Sequence, residues 1–212
     1  MAEQTAGLTS FIHLVETIAD NKYVLGDRLV EVGVSGPNLE ATLAAIAMAQ
    51  GELGHARLLY NWSADLKGVK KADVKDQSGK ALPNAVKVNN WITLIASLYA
   101  TNAAIDLVLK AVSESEHAKV ASRVQKLINE QKEHIIYARG WAKQLLNDKG
   151  AVPAKFKEAL NEAIPEAGEW LKSVEAQTEI VEEGYMSKTV SLYEAFKAEV
   201  EQLTTPALVS TN

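Results

Sequence analysis

Apolar residues recur every three or four positions over four windows of roughly 25 to 30 residues, and two-residue alternation is nowhere sustained. That period commits the chain to long helices, and at 1.5 Å per residue each would run roughly 37 to 45 Å. The first is expected from a cap at Thr9 or Ser10 to about Val32, where Gly33, Ser35, Gly36 and Pro37 stop it. Asn38 caps a second, Ala-rich helix from about Leu39 to Lys67. Asn89 or Asn90 opens a third to about Val112, and a fourth runs from about Glu116 to Leu146. The segment from Gly68 to Val88 reads as an ordered surface loop. Beyond Gly150, the pattern gives helix from Ala154 to Ala163 and from Glu166 to Glu183, broken by Pro165, and a shorter one from Ser187 to Leu203. The expected architecture is an all-α four-helix bundle with additional C-terminal helices, a single domain over residues 1–212.

Composition narrows the chemistry. With no Cys among 212 residues, disulfides, zinc–thiolate sites, iron–sulfur clusters and thiol nucleophiles are excluded, so any metal would rest on oxygen and imidazole donors. Asp and Glu number 27 against 22 Lys and Arg, a net charge of -5 that argues against nucleic acid as a partner. Glu3, Glu16 and Asp20 disrupt any secretory leader in the first twenty residues, and no uninterrupted apolar run has the length of a membrane span. The expectation is a cytoplasmic protein with no membrane partner.

The informative positions interrupt the apolar stripes, because a buried charge or amide without a partner costs several kcal/mol. The second helix presents Ala45, Met48, Ala49, Glu52, His55, Ala56 and Leu59 on one face. The fourth presents Val120, Val124, Leu127, Gln131, His134, Ala138 and Trp141, and the third Ile95, Leu98, Tyr99, Asn102, Ile105, Asp106 and Leu109. The first gives Val15, Ile18, Ala19, Lys22, Leu25, Gly26 and Leu29, with Tyr23 at its edge. Four stripes that turn polar at mid-helix imply one shared polar layer. Carboxylate-bridged dimetal bundles fill such a layer with a Glu from each of two helices and a Glu-x-x-His from each of the other two. Glu52-Leu53-Gly54-His55 is one such motif, and Gln131-Lys132-Glu133-His134 has the same spacing with an amide in place of the carboxylate. Glu133 falls on a solvated face, while Glu130, at the margin, is a candidate partner of His134 one turn on. His13 and His117 read as surface or interface histidines, and Trp62, Trp91, Trp141 and Trp170 as packing residues.

Several segments carry a resemblance: Ala19-Asp20-Asn21-Lys22-Tyr23-Val24-Leu25-Gly26-Asp27-Arg28-Leu29, Gly51-Glu52-Leu53-Gly54-His55-Ala56-Arg57, Asn129-Glu130-Gln131-Lys132-Glu133-His134 with Tyr137-Ala138-Arg139-Gly140-Trp141, and Glu194-Ala195-Phe196-Lys197-Ala198-Glu199-Val200. Through these the chain resembles, over nearly its whole length, the ferritin-like subunits of the phenylacetyl-CoA epoxidase (ring 1,2-monooxygenase) complex, the structural subunit more than the catalytic one. The resemblance implies a ferritin-like fold. It also implies a place in a di-iron monooxygenase complex of phenylacetate catabolism, beside a di-iron catalytic subunit or a second copy of itself. In the catalytic members a di-iron centre binds O2. Its ligand positions fall here on Glu52, His55 and His134, on Gln131 and Asn102 where carboxylates belong, and on Tyr23 or Lys22.

Two classes of function follow. In the first the chain is a non-catalytic subunit without a cofactor, its layer made of Lys22, Tyr23, Glu52, His55, Asn102, Asp106, Gln131 and His134, with Lys22 pairing with Glu52 or Asp106. Against this, Lys22 could carry its ammonium to a helix edge or a subunit interface along its aliphatic stem. In the second the chain is itself an oxygenase or hydrolase, with Glu52, His55, Glu130 and His134 holding iron or manganese, joined by Asp106 and Tyr23. An iron-handling bundle is a third reading that the missing carboxylates disfavour.

Overall fold

The computed structural model describes residues 5–71, 79–188 and 191–204. Among them there is no strand, and eight α-helices follow one another: α1 (Ala6–Glu31), α2 (Leu39–Lys67), α3 (Pro83–Val86), α4 (Trp91–Ser113), α5 (Ala118–Leu146), α6 (Val152–Glu175), α7 (Thr178–Glu182) and α8 (Leu192–Thr204). A single 3-10 turn, Gly33–Ser35, separates α1 from α2. The short connections fold α1 back on α2 and α4 back on α5, and the two antiparallel pairs close a ferritin-like four-helix bundle. Outside it, α6 lies along α4, α7 along the start of α1, and α8 across α4, α5 and α6.

Local chemistry sets the boundaries. Asn38 accepts the Ala41 N–H at 2.8 Å at the start of α2, and Gly68, at φ 65°, ends that helix in the left-handed conformation a side chain would disfavour. Asn90 and Thr93 form a reciprocal capping box on α4. The first helix begins earlier than expected: Thr5 is its cap, accepting the Leu8 N–H, while Thr9 and Ser10 lie inside it. The carboxylate of Glu183 holds this end by accepting the Gly7 N–H at 2.8 Å. The last helix begins later, at Leu192, because Ser187 and Lys188 are not helical; residues 189–190 lie outside the described residues.

Two larger corrections concern the connections. Pro165 does not break α6, which is continuous from Val152 to Glu175. The proline is exposed, as is Asn161, whose carbonyl loses its helical donor there, so solvent meets the backbone group that would be orphaned in a core. The stretch from 79 to 88 is no surface loop either, since it contains α3 and buries Leu82, Ala85 and Val88; residues 72–78 of that expected loop lie outside the described residues. It is pinned to α1 by the Lys80 N–H on Asp20 Oδ2 and the Leu82 N–H on Asn21 Oδ1, both 2.9 Å. Glu16 beside them binds Ser63, Lys67 and Lys80, and although burial raises its pKa these partners win and bring it to about 2.

The central helix, α4, is long and apolar enough to cross a membrane, with a mean hydropathy of 1.6 over its most apolar window. Here 83% of that window is buried by other helices, the environment a core helix needs.

Candidate functional site

At mid-bundle the polar interruptions of α1, α2, α4 and α5 meet. Lys22 comes from α1, Glu52 and His55 from α2, Asn102 from α4, and Gln131 and His134 from α5; all six are buried. The Lys22 Nζ lies 2.9 Å from Glu52 Oε2, with side chains 1% and 0% exposed, so the ammonium does not reach any helix edge. It also donates to Asn102 Oδ1 at 2.7 Å. Asn102 in turn donates from Nδ2 to Glu52 Oε1 at 2.9 Å, and His134 Nδ1 meets the same oxygen at 2.8 Å. Gln131 closes the layer by donating to the Asn102 carbonyl at 2.9 Å.

Glu52 is thus a carboxylate with three polar neighbours. Burial raises its pKa, but the Lys22 charge and the His134 hydrogen bond outweigh this and hold it well below the usual carboxylate range. Burial pulls the Lys22 pKa down, while Glu52 and, at greater range, Asp106 oppose that pull. Glu52 is held ionised, and its charge is the largest influence opposing the loss of the Lys22 proton. His55 is lowered first by burial and then by the Lys22 charge, which favours its neutral form.

Other expected members sit differently. Glu130, 47% exposed, bonds His55 Nε2 at 2.8 Å across the α2–α5 seam instead of capping His134 along its own helix. Periodicity within one helix cannot reveal such a cross-helix partner. Asp106 pairs with Lys110 one turn on, at 2.6 Å, and its other oxygen is buried with no hydrogen-bond partner among the described residues. Tyr23 is half-buried and belongs to none of the hydrogen bonds of the layer, since it is Lys22 that points inward. The donor atoms of Glu52, His55 and His134 lie within 4.8 Å of one another, a spacing able to hold a metal ion. The His55 Nδ1 and Gln131 Oε1 are buried without hydrogen-bond partners among the described residues, and Glu52 Oε2 is met only by the ion-pair contact with Lys22.

One further residue shapes the layer. A Cβ on Gly51 would stand 2.7 Å from His134 Nε2, so the His134 ring needs the absent side chain. Gly51 sits immediately before Glu52 in an otherwise Ala-rich helix, which was the only sequence signal for it.

Comparison with known proteins connects this geometry to a family. The family model described as "Phenylacetic acid catabolic protein" matches residues 2–210. The chain belongs to that family. It is also 28% identical, over 189 residues, to one subunit of the 1,2-phenylacetyl-CoA epoxidase of Escherichia coli (strain K12). That alignment covers 86% of this chain and 76% of the relative. Phenylacetate catabolism and a monooxygenase complex are therefore the functional setting of the family match.

Proposed function

We propose that the chain is a non-catalytic, structural subunit of a phenylacetyl-CoA-type multicomponent di-iron monooxygenase, a single ferritin-like domain working in the cytoplasm beside a di-iron catalytic subunit. The observation that carries this reading is the Lys22–Glu52 pair at 2.9 Å in the middle of the layer. Two iron ions bring four or more positive charges and call for several carboxylates around them. This layer offers one buried carboxylate, two amides at Asn102 and Gln131, and an ammonium seated on the carboxylate that metals would need. The residues present do not fit a di-iron centre. They fit an ion pair, in which Lys22 supplies the positive charge and Asn102 bonds both partners.

The role that follows is mechanical. A bundle whose centre is closed by its own ion pair contributes shape and a docking surface, while O2 chemistry belongs to the partner. The test is reconstitution. The chain, co-expressed with a di-iron subunit of the same complex type, is expected to co-purify with it and to be needed for turnover. Turnover should survive Glu52→Gln in this chain as long as the complex assembles. Loss of turnover in an assembled Glu52→Gln complex would move the chemistry into this chain.

The convergence of Glu52, His55 and His134 supports a second reading, a single iron or manganese ion on those three with an oxygenase or hydrolase activity. In that reading Lys22 must leave Glu52 when metal binds, and Glu130 must come inward from a half-exposed position.

A further inference from the structure

Three buried side chains of the layer bring together the parts of an amide-forming reaction. Lys22 supplies a primary amine, Asn102 a carboxamide, and Glu52 a carboxylate that touches both; they are 1%, 0% and 0% exposed. Lys22 Nζ stands 2.7 Å from Asn102 Oδ1. A C=O bond is about 1.23 Å long, so the carbon of that carbonyl lies no more than about 3.9 Å from the amine. Reacting atoms poised for attack stand about 3–3.5 Å apart, so a small slide of the amine from the oxygen to the carbon completes the approach.

Glu52 divides its two oxygens between the partners. Oε2 lies 2.9 Å from Lys22 Nζ, and Oε1 accepts a hydrogen bond from Asn102 Nδ2 at 2.9 Å. One carboxylate thus reaches both the nitrogen that would attack and the nitrogen that would leave, which is what a group passing a proton between them needs. His134 Nδ1, 2.8 Å from Oε1, steadies it.

In water an amine and a carboxamide do not combine, because the amine is a solvated ammonium and water competes for the carbonyl. Burial away from water favours the neutral, nucleophilic amine and keeps the competitor out. The fold also holds the two groups side by side, which for well-oriented partners equals an effective concentration of roughly 10⁵–10⁸ M.

We propose that Lys22 and Asn102 join in an intramolecular isopeptide bond, made by the folded chain itself with Glu52 as the proton carrier. The Lys22 Nζ–Asn102 Cγ bond forms and the Asn102 Cγ–Nδ2 bond breaks. Of the three ammonium protons, one stays on the new amide, one passes through Glu52 to the departing nitrogen, and one stays on Glu52. Ammonia leaves, and both charges of the pair disappear, which relieves the desolvation that opposes burying them. The bond joins positions 80 residues apart and ties α1 to α4, linking the two antiparallel helix pairs through the middle of the layer. This rests on the reading that Lys22, and not metal, fills the layer: the ion pair is the state of the freshly folded chain, and the amide is the state into which it ages.

Intact-mass spectrometry of the full chain tests the bond. A species lighter than the sequence mass by one ammonia should accumulate when the folded chain is warmed below its melting temperature. Cyclisation of an asparagine gives the same mass, so tryptic mapping decides between them. Residues 1–28, uncut after Lys22, should appear joined to residues 88–110, which carry Asn102. Lys22→Met removes the nucleophile and Glu52→Gln the proton carrier, and each should keep its full sequence mass under the same warming, with circular dichroism reporting that it is folded. A wild type that keeps its full mass after prolonged warming, or an ammonia loss that survives in Lys22→Met, would overturn the proposal, and the wild-type measurement does so whether or not Glu52→Gln folds. A full-mass chain that binds no metal would leave the subunit role standing, whereas near-stoichiometric metal held through Glu52 would take down both.

Discussion

Replacing Lys22 by Met keeps most of the buried stem and removes the ammonium 2.9 Å from Glu52 Oε2. Glu52 would be left as a fully buried carboxylate with hydrogen bonds from Asn102 at 2.9 Å and His134 at 2.8 Å. Breaking a buried pair from one side costs about 3–5 kcal/mol. The two surviving hydrogen bonds place the expected loss near the lower end, about 3 kcal/mol. Against a total stability on the order of 5–15 kcal/mol this is a large share, and for a chain of this size it should lower Tm by roughly 6–12 °C. Urea unfolding at pH 7, followed by circular dichroism, measures it directly.

The pH dependence has a definite sign. In the wild type the Glu52 pKa is lowered on folding, so its stabilisation is present above the usual carboxylate value of 4.5 and is lost as pH falls below it. In Lys22→Met, burial is opposed only by the hydrogen bonds, and Glu52 takes up a proton more readily on acidification. The gap between variant and wild type should therefore be widest near neutral pH and narrow toward pH 4.5. The double variant Lys22→Met/Glu52→Gln removes both charges and should recover most of the loss, a strongly non-additive cycle. A Lys22→Met protein within about 1 kcal/mol of wild type, the range of a surface ion pair, would refute the buried pairing. Additive losses in the double variant would refute it too.

Three other outcomes follow. Gly51→Ala should destabilise by about 1–3 kcal/mol despite the gain in helix propensity, because its Cβ would stand 2.7 Å from His134 Nε2; thermal unfolding checks this, and Gly54→Ala, whose Cβ would meet nothing within 4 Å, serves as the control that should stabilise. Pro165→Ala should raise stability by up to about 3 kcal/mol, since it restores a backbone hydrogen bond in an exposed stretch of continuous helix; urea midpoints report it. The Glu16 pKa, about 2 when folded against the usual 4.5, supplies stability above pH 4.5 that is lost between there and about pH 2, so Glu16→Gln should be less stable at neutral pH and show a shallower acid transition over that window.

What could be read from the sequence was whatever one helix decides for itself. For α2, the Asn38 cap, the end at Lys67 and the inward face from Ala45 to Leu59 follow from capping chemistry and a 3.6-residue period, and the structure has the same boundaries. The same period puts Asn102, Gln131 and His134 on the buried faces of α4 and α5. Partnerships between elements were hidden. Asp20 and Asn21 are buried because α1 packs against the 79–88 segment as well as against α2, and a single-stripe reading makes such positions look solvated. The reach of Glu130 to His55 depends on where two helices face each other, and the tolerance of Pro165 depends on which side of α6 meets water. The period puts Lys22 on the stripe of α1 and Tyr23 at its edge, and only packing decides that the Lys22 side chain turns in to Glu52 and does not run out to a helix edge.

If an ammonium, and not a pair of metals, neutralises the buried carboxylate of the layer, the purified chain should hold almost no metal. Metal analysis of the chain, expressed with iron and manganese supplied and purified without chelators, decides this, with Glu52→Ala as the reference. Far less than one metal ion per chain is expected, with no difference between the two proteins. Near-stoichiometric iron or manganese in the wild type that disappears in Glu52→Ala would contradict the ion-pair reading.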